Sequence, residues 1–355
     1  MKTAFAKQLK SARLIKGYSL EAVAQLLQPK MTRQALHKYE TGEVLPSGDF
    51  LIQVSNLFNL PADFFFRENE LSVGEIQYRK KVHLSKKELY QLIEQIKDYG
   101  ARVLETRMFA NKEELRFNRL VIDQAIQLSQ SEISKIAEQL RALWGVGTAP
   151  IINVLALLER QGVLVVPIDA PIHFDGLQTT IDETIPVIAF NKSLLNQNDR
   201  LRFTVLHELA HYLFAKQFQE NLSEKQIERY CNDFAGAFLL PDAAIIELLG
   251  KERSSIALIE LARIKRNYGI SISSIMMRAL AVGIVSKEYV ATFFEQFKKQ
   301  GFYRTEPVDY TGTEELMFLN QHLVREVIEG EISMQKAASL ANVSLIEFRQ
   351  YMNMR

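Results

Sequence analysis

Apolar residues recur at helical spacing through most of the chain, and turn signals cut that recurrence into short units. Phe5, Leu9, Ala12 and Ile15 fall on one face of a first helix, which Gly17 ends. Ser19 is a natural N-cap for "LEAVAQLL", and Thr32 is a second, opening the helix in "MTRQALHKYE" after the turn "QPK". Pro46 marks a loop, "DFLIQVSNLFNL" restores the helical period, and Pro61 opens a last short turn. Residues 68–135 read as a charged helical connector that carries the basic cluster "YRKKVHLSKK". Residues 136–160 predict one or two helices interrupted by "GVGTAP". The texture then changes: "GVLVVPID" and "TIPVIAFN" are short β-rich runs, with a third strand or hairpin in "HFDGLQTTIDE". Helices return and continue nearly to the end, Ser271 being a further cap candidate. The expected fold is mainly α with a small α+β part, divided at 1–67, 68–135, 136–285 and 286–355.

Composition narrows the class. A chain of 355 residues with 47% hydrophobic content suggests two or three domains with at least one substantial core. A net charge of +1 exerts no global pull on nucleic acid or membrane, so such affinity must be local. The single cysteine, Cys231, excludes an internal disulfide framework and a cysteine-rich zinc module. The first twenty residues break every apolar run, unlike a signal peptide, and no stretch approaches the roughly 18 apolar residues of a membrane span. These features predict a soluble cytoplasmic protein without membrane contact.

The chemistry concentrates in "LRFTVLHELAHYLFAKQF", residues 201–218. His207 and His211 are one helical turn apart on one face, so both imidazoles can reach one point, with Glu208 beside it. This HExxH spacing suits two zinc ligands and a general base, because a bound zinc lowers the pKa of water to about 7. The plainer alternative is a buried amphipathic helix with two hydrogen-bonded histidines. Against it, the motif is rare by chance, and its apolar flanks would make an idle polar cluster costly. A third ligand is needed. Glu220, Glu224, Glu228 and Asp233 are the acidic candidates, and Glu228 is preferred because it begins the apolar helix "YCNDFAGAFLLP".

"RLRFTVLHELAHYLF" followed by "IERYCNDFAGAFLLP" resembles the ImmA/IrrE family of metallopeptidases, as do the lead-in "LLERQGVLVVPID", the "FDGLQ" turn and "IPVIAFNKSLLNQNDRLRF". The resemblance spans roughly residues 136–285. It implies a zincin-like fold with a small sheet, zinc held by His207, His211 and Glu228, and Glu208 as base. Cys231 departs from that family, which more often has a small apolar residue there. Three residues after Glu228 it can face the metal, although a small buried hydrophobe is the preferred expectation. The oxyanion stabiliser is left open among Tyr212, Tyr230, Arg200 and Arg202, with Arg202 equally suited to a structural ion pair.

The N-terminal stretch "YSLEAVAQLLQPKMTRQALHKYETGEVLPSGDFLIQVSNLFNLPADFFF" resembles an XRE-family helix-turn-helix domain, with "QPK" lengthening a turn that usually has one glycine. Ala24, Leu27, Leu36 and Tyr39 can pack its two helices together. Thr32, Arg33, Gln34, His37 and Lys38 then remain outside, and their side chains suit base edges and phosphates of a double-stranded operator. Residues 1–66 carry eight Lys/Arg against five Asp/Glu, a modest pull on phosphate. Near the C-terminus, "ISMQKAASLANVSLIEFRQYM" could imitate a second such motif, but its outer face is poor in Arg and Lys, favouring a packing or dimer element. The combined expectation is a cytoplasmic transcriptional regulator whose zinc peptidase domain cleaves a repressor protein or itself. Its setting would be stress response or mobile-element control. The rival is a non-enzymatic transcription factor, or a toxin–antitoxin-type DNA-binding partner, using the zinc fold as sensor or scaffold. Intact Glu208 counts against it, since a scaffold needs ligands but no base.

Overall fold

The computed structural model of the chain describes residues 2–67, 71–76, 84–109, 116–123, 126–219 and 222–353. The N-terminal unit has four α-helices, α1 (Lys2–Ile15), α2 (Leu20–Leu26), α3 (Arg33–Glu40) and α4 (Gly48–Phe58), and a closing 3-10 turn, Ala62–Phe66. The expected caps form: Ser19 accepts from the Ala22 amide and Thr32 from the Ala35 amide. Phe5, Leu9, Ala12, Ala24, Leu27 and Leu36 share one core with Phe50, Val54, Phe58 and Phe65. Tyr39 stacks on Phe50 at 4.1 Å, and Arg13 grips Glu40 with two bonds of 2.6 and 2.9 Å.

The region expected to connect contains α5 (Lys86–Phe109), a helix of 24 residues. It docks on both sides. Towards the N-terminal unit, Ser11 donates to Glu94 and Gln91 donates to the Ile15 carbonyl. Towards the rest of the chain, Leu92, Ile96, Tyr99 and Val103 pack under the sheet. Most of the basic cluster "YRKKVHLSKK" lies outside the described residues.

Two helices follow, α6 (Gln130–Leu143) and α7 (Val154–Arg160), separated by the expected Gly-rich break. Then come three strands, β1 (Leu164–Ile168), β2 (Gly176–Ile181) and β3 (Ile185–Asn191). The sheet order is β1-β3-β2, with β1 parallel and β2 antiparallel to β3. Both faces are buried, and the strand period sorts the side chains. Val165, Ile188 and Phe190 face one core, while Leu164, Val166, Val187 and Ala189 face the other.

The first core is closed by α8 (Asn198–Leu213), α9 (Glu224–Leu239), α10 (Asp242–Leu249), α11 (Leu258–Tyr268), α12 (Ile272–Ala281) and α13 (Lys287–Lys299). Ser271 caps α12, as its sequence position implies. The second core is closed by α5 together with α14 (Phe318–Ile328), α15 (Met334–Ala341) and α16 (Leu345–Asn353). The last two helices bury Ala337, Leu340 and Phe348 in that core, so the motif-like C-terminal stretch is a packing element. The fold is thus mainly α around one small sheet. Among the described residues, no helix is long and apolar enough to cross a membrane.

Candidate metal centre and DNA-reading helix

α8 lies across β2 and β3 and carries His207, which is buried, and His211, which is half-buried. α9 starts at a capping box: Ser223 accepts from the Gln226 amide, and the Gln226 side chain accepts from the Ser223 amide. That start fixes the phase of α9, so Glu228, Cys231 and Asn232 (positions i, i+3 and i+4) share the face turned to α8. Phe214 meets Phe234 edge-on at 5.6 Å, seating one helix on the other.

The donors converge. Nε2 of His207 and Nε2 of His211 are 3.2 Å apart. Glu228 places one carboxylate oxygen 3.3 Å from His211 Nε2 and the other 3.7 Å from His207 Nε2. Nitrogen and oxygen ligands at about 2.0–2.1 Å from a tetrahedral zinc sit about 3.3–3.5 Å from each other. The donor set therefore fits a metal ion. His207 is fully buried, and Nδ1 of its ring lies 2.9 Å from Asn232 Oδ1. An amide oxygen there accepts a hydrogen bond from Nδ1–H, which leaves the Nε2 lone pair for a metal.

Glu208 is also buried, at 3% exposure, on the side of α8 that meets β2. Gly176 makes that approach possible. A Cβ there would stand 3.3 Å from Glu208 Cγ, 3.2 Å from Thr204 Cγ2 and 3.0 Å from the Ala189 carbonyl oxygen.

The rival acids lie elsewhere. Glu224 is exposed at the start of α9, and Glu220 lies outside the described residues. Asp233 faces α6, where Gln130 donates to it at 3.2 Å. Burial pushes its carboxyl above the ordinary range, with Arg229 and Gln130 pulling the other way.

The four polar residues weighed as oxyanion stabilisers each have another partner. Arg200 makes two bonds of 2.8 Å to Asp175, and Tyr230 donates to the Leu128 carbonyl. Tyr212 stands edge-on to Phe117, its hydroxyl pKa raised by burial. Arg202 is fully buried, bonded to Glu314 at 2.6 Å, to the Ile151 and Tyr268 carbonyls and to the Tyr310 hydroxyl. Its role is structural.

Cys231 is fully buried, as expected of a small hydrophobe, but it also faces the centre. Its sulfur and one ring nitrogen each from His207 and His211 lie within 4.8 Å of one another. Sequence reasoning missed Asn232 altogether. The available signal was its spacing, one turn after Glu228.

On α3, Thr32, Arg33, Gln34, His37 and Lys38 are all exposed, while Leu36 is buried. The first turn of α3 thus offers a guanidinium and an amide side by side to solvent.

Residues 158–280 match the peptidase family described as the IrrE N-terminal-like domain. Residues 9–65 match the family described as helix-turn-helix. No curated protein gives a match. The chain joins an XRE-type helix-turn-helix DNA-binding domain to a domain of an IrrE-like peptidase family. It is a regulator with a peptidase-family domain.

Proposed function

We propose that the chain is a cytoplasmic DNA-binding transcriptional regulator whose IrrE-like domain is a working zinc endopeptidase. Its substrate is one protein, another transcriptional repressor or a second copy of itself. The observation that carries this reading is the meeting of three donors, His207, His211 and Glu228, with a buried glutamate on the same helix.

His207, His211 and Glu228 would hold the zinc. A bound zinc supplies a Lewis acid that brings a water's pKa to about 7. Glu208 accepts that water's proton and delivers it to the leaving amine. Asn232 keeps the His207 ring in the tautomer and orientation that present Nε2. In the other domain, Arg33 can pair with guanine and Gln34 with adenine in the major groove, while Thr32, His37 and Lys38 reach phosphates or base edges. A homodimer would match a palindromic operator.

The retained base favours an enzyme over a sensor or scaffold. The test incubates zinc-loaded protein with a neighbouring repressor and with itself, wild type against Glu208→Gln. The amide cannot accept a proton, so this variant should keep its metal and lose cleavage. Cleavage by Glu208→Gln at the wild-type rate would sink the mechanism. If the chain that keeps Glu208 cuts no such partner, with Cys231 either intact or replaced by alanine, the domain returns to a sensing role.

A further inference from the structure

The centre contains one donor more than hydrolysis needs. Glu228, Cys231 and Asn232 occupy one face of α9, so the turn that delivers a carboxylate and orients His207 also delivers a thiol. Cys231 is fully buried, and its sulfur and one ring nitrogen each of His207 and His211 lie within 4.8 Å of one another; the two Nε2 atoms are 3.2 Å apart. Cys231 shares the buried core of Phe214, Phe234 and Phe238, as a space-filling residue would. Its sulfur is at the same time in reach of an ion held by the two imidazoles.

Thiolate is a strong zinc ligand at about 2.3 Å, and zinc accepts mixed sets of nitrogen, oxygen and sulfur without a geometric preference of its own. Two imidazoles, a carboxylate and a thiolate complete four-coordination. That pattern belongs to closed sites, whereas a hydrolytic zinc keeps one position for water.

We propose that Cys231 is a fourth protein ligand to the metal, closing the position that water needs. The resting centre is then a latched one. Hydrolysis begins only when the thiolate gives up its place, and anything that draws Cys231 off the metal activates the domain. This inference rests on the reading of His207, His211 and Glu228 as ligands.

Cobalt(II) makes the ligand visible. The full-length chain is stripped of metal and loaded with cobalt, as wild type, Cys231→Ala, the near-isosteric Cys231→Ser, and His207→Ala. Wild type should show a near-ultraviolet thiolate-to-cobalt charge-transfer band. Cys231→Ala and Cys231→Ser should take up cobalt without that band. They should also release zinc to a competing chelator more readily, by more than the roughly 10–100-fold that loss of a supporting hydrogen bond costs. Any peptidase activity should rise in both variants. A cobalt-loaded wild type without the band overturns the inference while leaving the three-ligand centre standing. A band and zinc retention unchanged in Cys231→Ala also overturn it. A wild type that takes up no more cobalt than His207→Ala overturns the metal centre itself, and the inference with it.

Discussion

On the proposed reading His207 has two tasks, one for each ring nitrogen. Its Nε2 meets the other donors, and its Nδ1 is held 2.9 Å from Asn232 Oδ1. Removing that acceptor frees the ring to rotate and lets the proton move to the wrong nitrogen. Asn232→Ala is therefore expected to weaken zinc binding by on the order of 10–100-fold, read by chelator competition, with the fold unchanged by circular dichroism. Unaltered affinity would remove Asn232 from the account. Gly176 is the second sensitive residue. Adding a side chain there drives into Glu208 Cγ and the Ala189 carbonyl. Gly176→Val should leave zinc content alone yet cut proteolysis on the order of 10²-fold, because the base moves while the ligands stay. A variant that loses metal and activity together would show that the strand supports the ligands instead.

At the scale of elements, α8 is anchored from outside its own helix. Arg202 and Glu314 are both fully buried and pair at 2.6 Å, and Glu314 also accepts from the Val154 and Leu155 amides at the start of α7. Nearer the helix start, Lys265 of α11 reaches Asp199 and Glu306, each at 2.7 Å. Burial lowers the Lys265 pKa, but the bonds to these two carboxylates outweigh it and hold the ammonium above its ordinary value. A raised folded-state pKa means that the stabilisation is complete below the ordinary lysine range and is lost as pH rises through the folded value. Lys265→Met should cost about 3 kcal/mol at neutral pH in a denaturant titration, with the deficit shrinking only at strongly alkaline pH. An equal deficit at every pH would assign the loss to packing rather than charge.

These anchors also mark the limit of what the sequence discloses. The histidine pair, the β-rich runs of β1 and β3, and the caps Ser19, Thr32 and Ser271 are local signals, complete within a turn or a strand. Each is found in the structure where the pattern places it. The partners of Arg202 lie 50 to 112 residues away, and no periodicity points to them. The same is true of α5, whose charged sequence reads as a connector although Leu92, Ile96 and Val103 close the second core. Cys231 shows the ambiguity in one residue. A buried cysteine on an apolar face looks alike whether it meets phenylalanine or imidazole, and only the packing angle of α8 on α9 decides.

The whole molecule joins the exposed α3 of a helix-turn-helix domain to a candidate metal centre in one chain, and their proposed contributions should separate. Arg33→Ala should cost on the order of 1–3 kcal/mol on a specific site and relax preference at one base pair. Lys38→Ala should weaken all sequences alike and flatten the salt dependence. Glu208→Gln should alter neither, because the base lies in another domain; gel-shift titrations at two salt concentrations measure all three. A wild type without sequence preference on its own promoter would make α3 a protein-contact helix. The central claim, however, is the metal. Elemental analysis of the purified full chain should find about one zinc per molecule, retained in Glu208→Gln and lost in His207→Ala and Glu228→Gln. Zinc held at the wild-type level in His207→Ala would contradict the account.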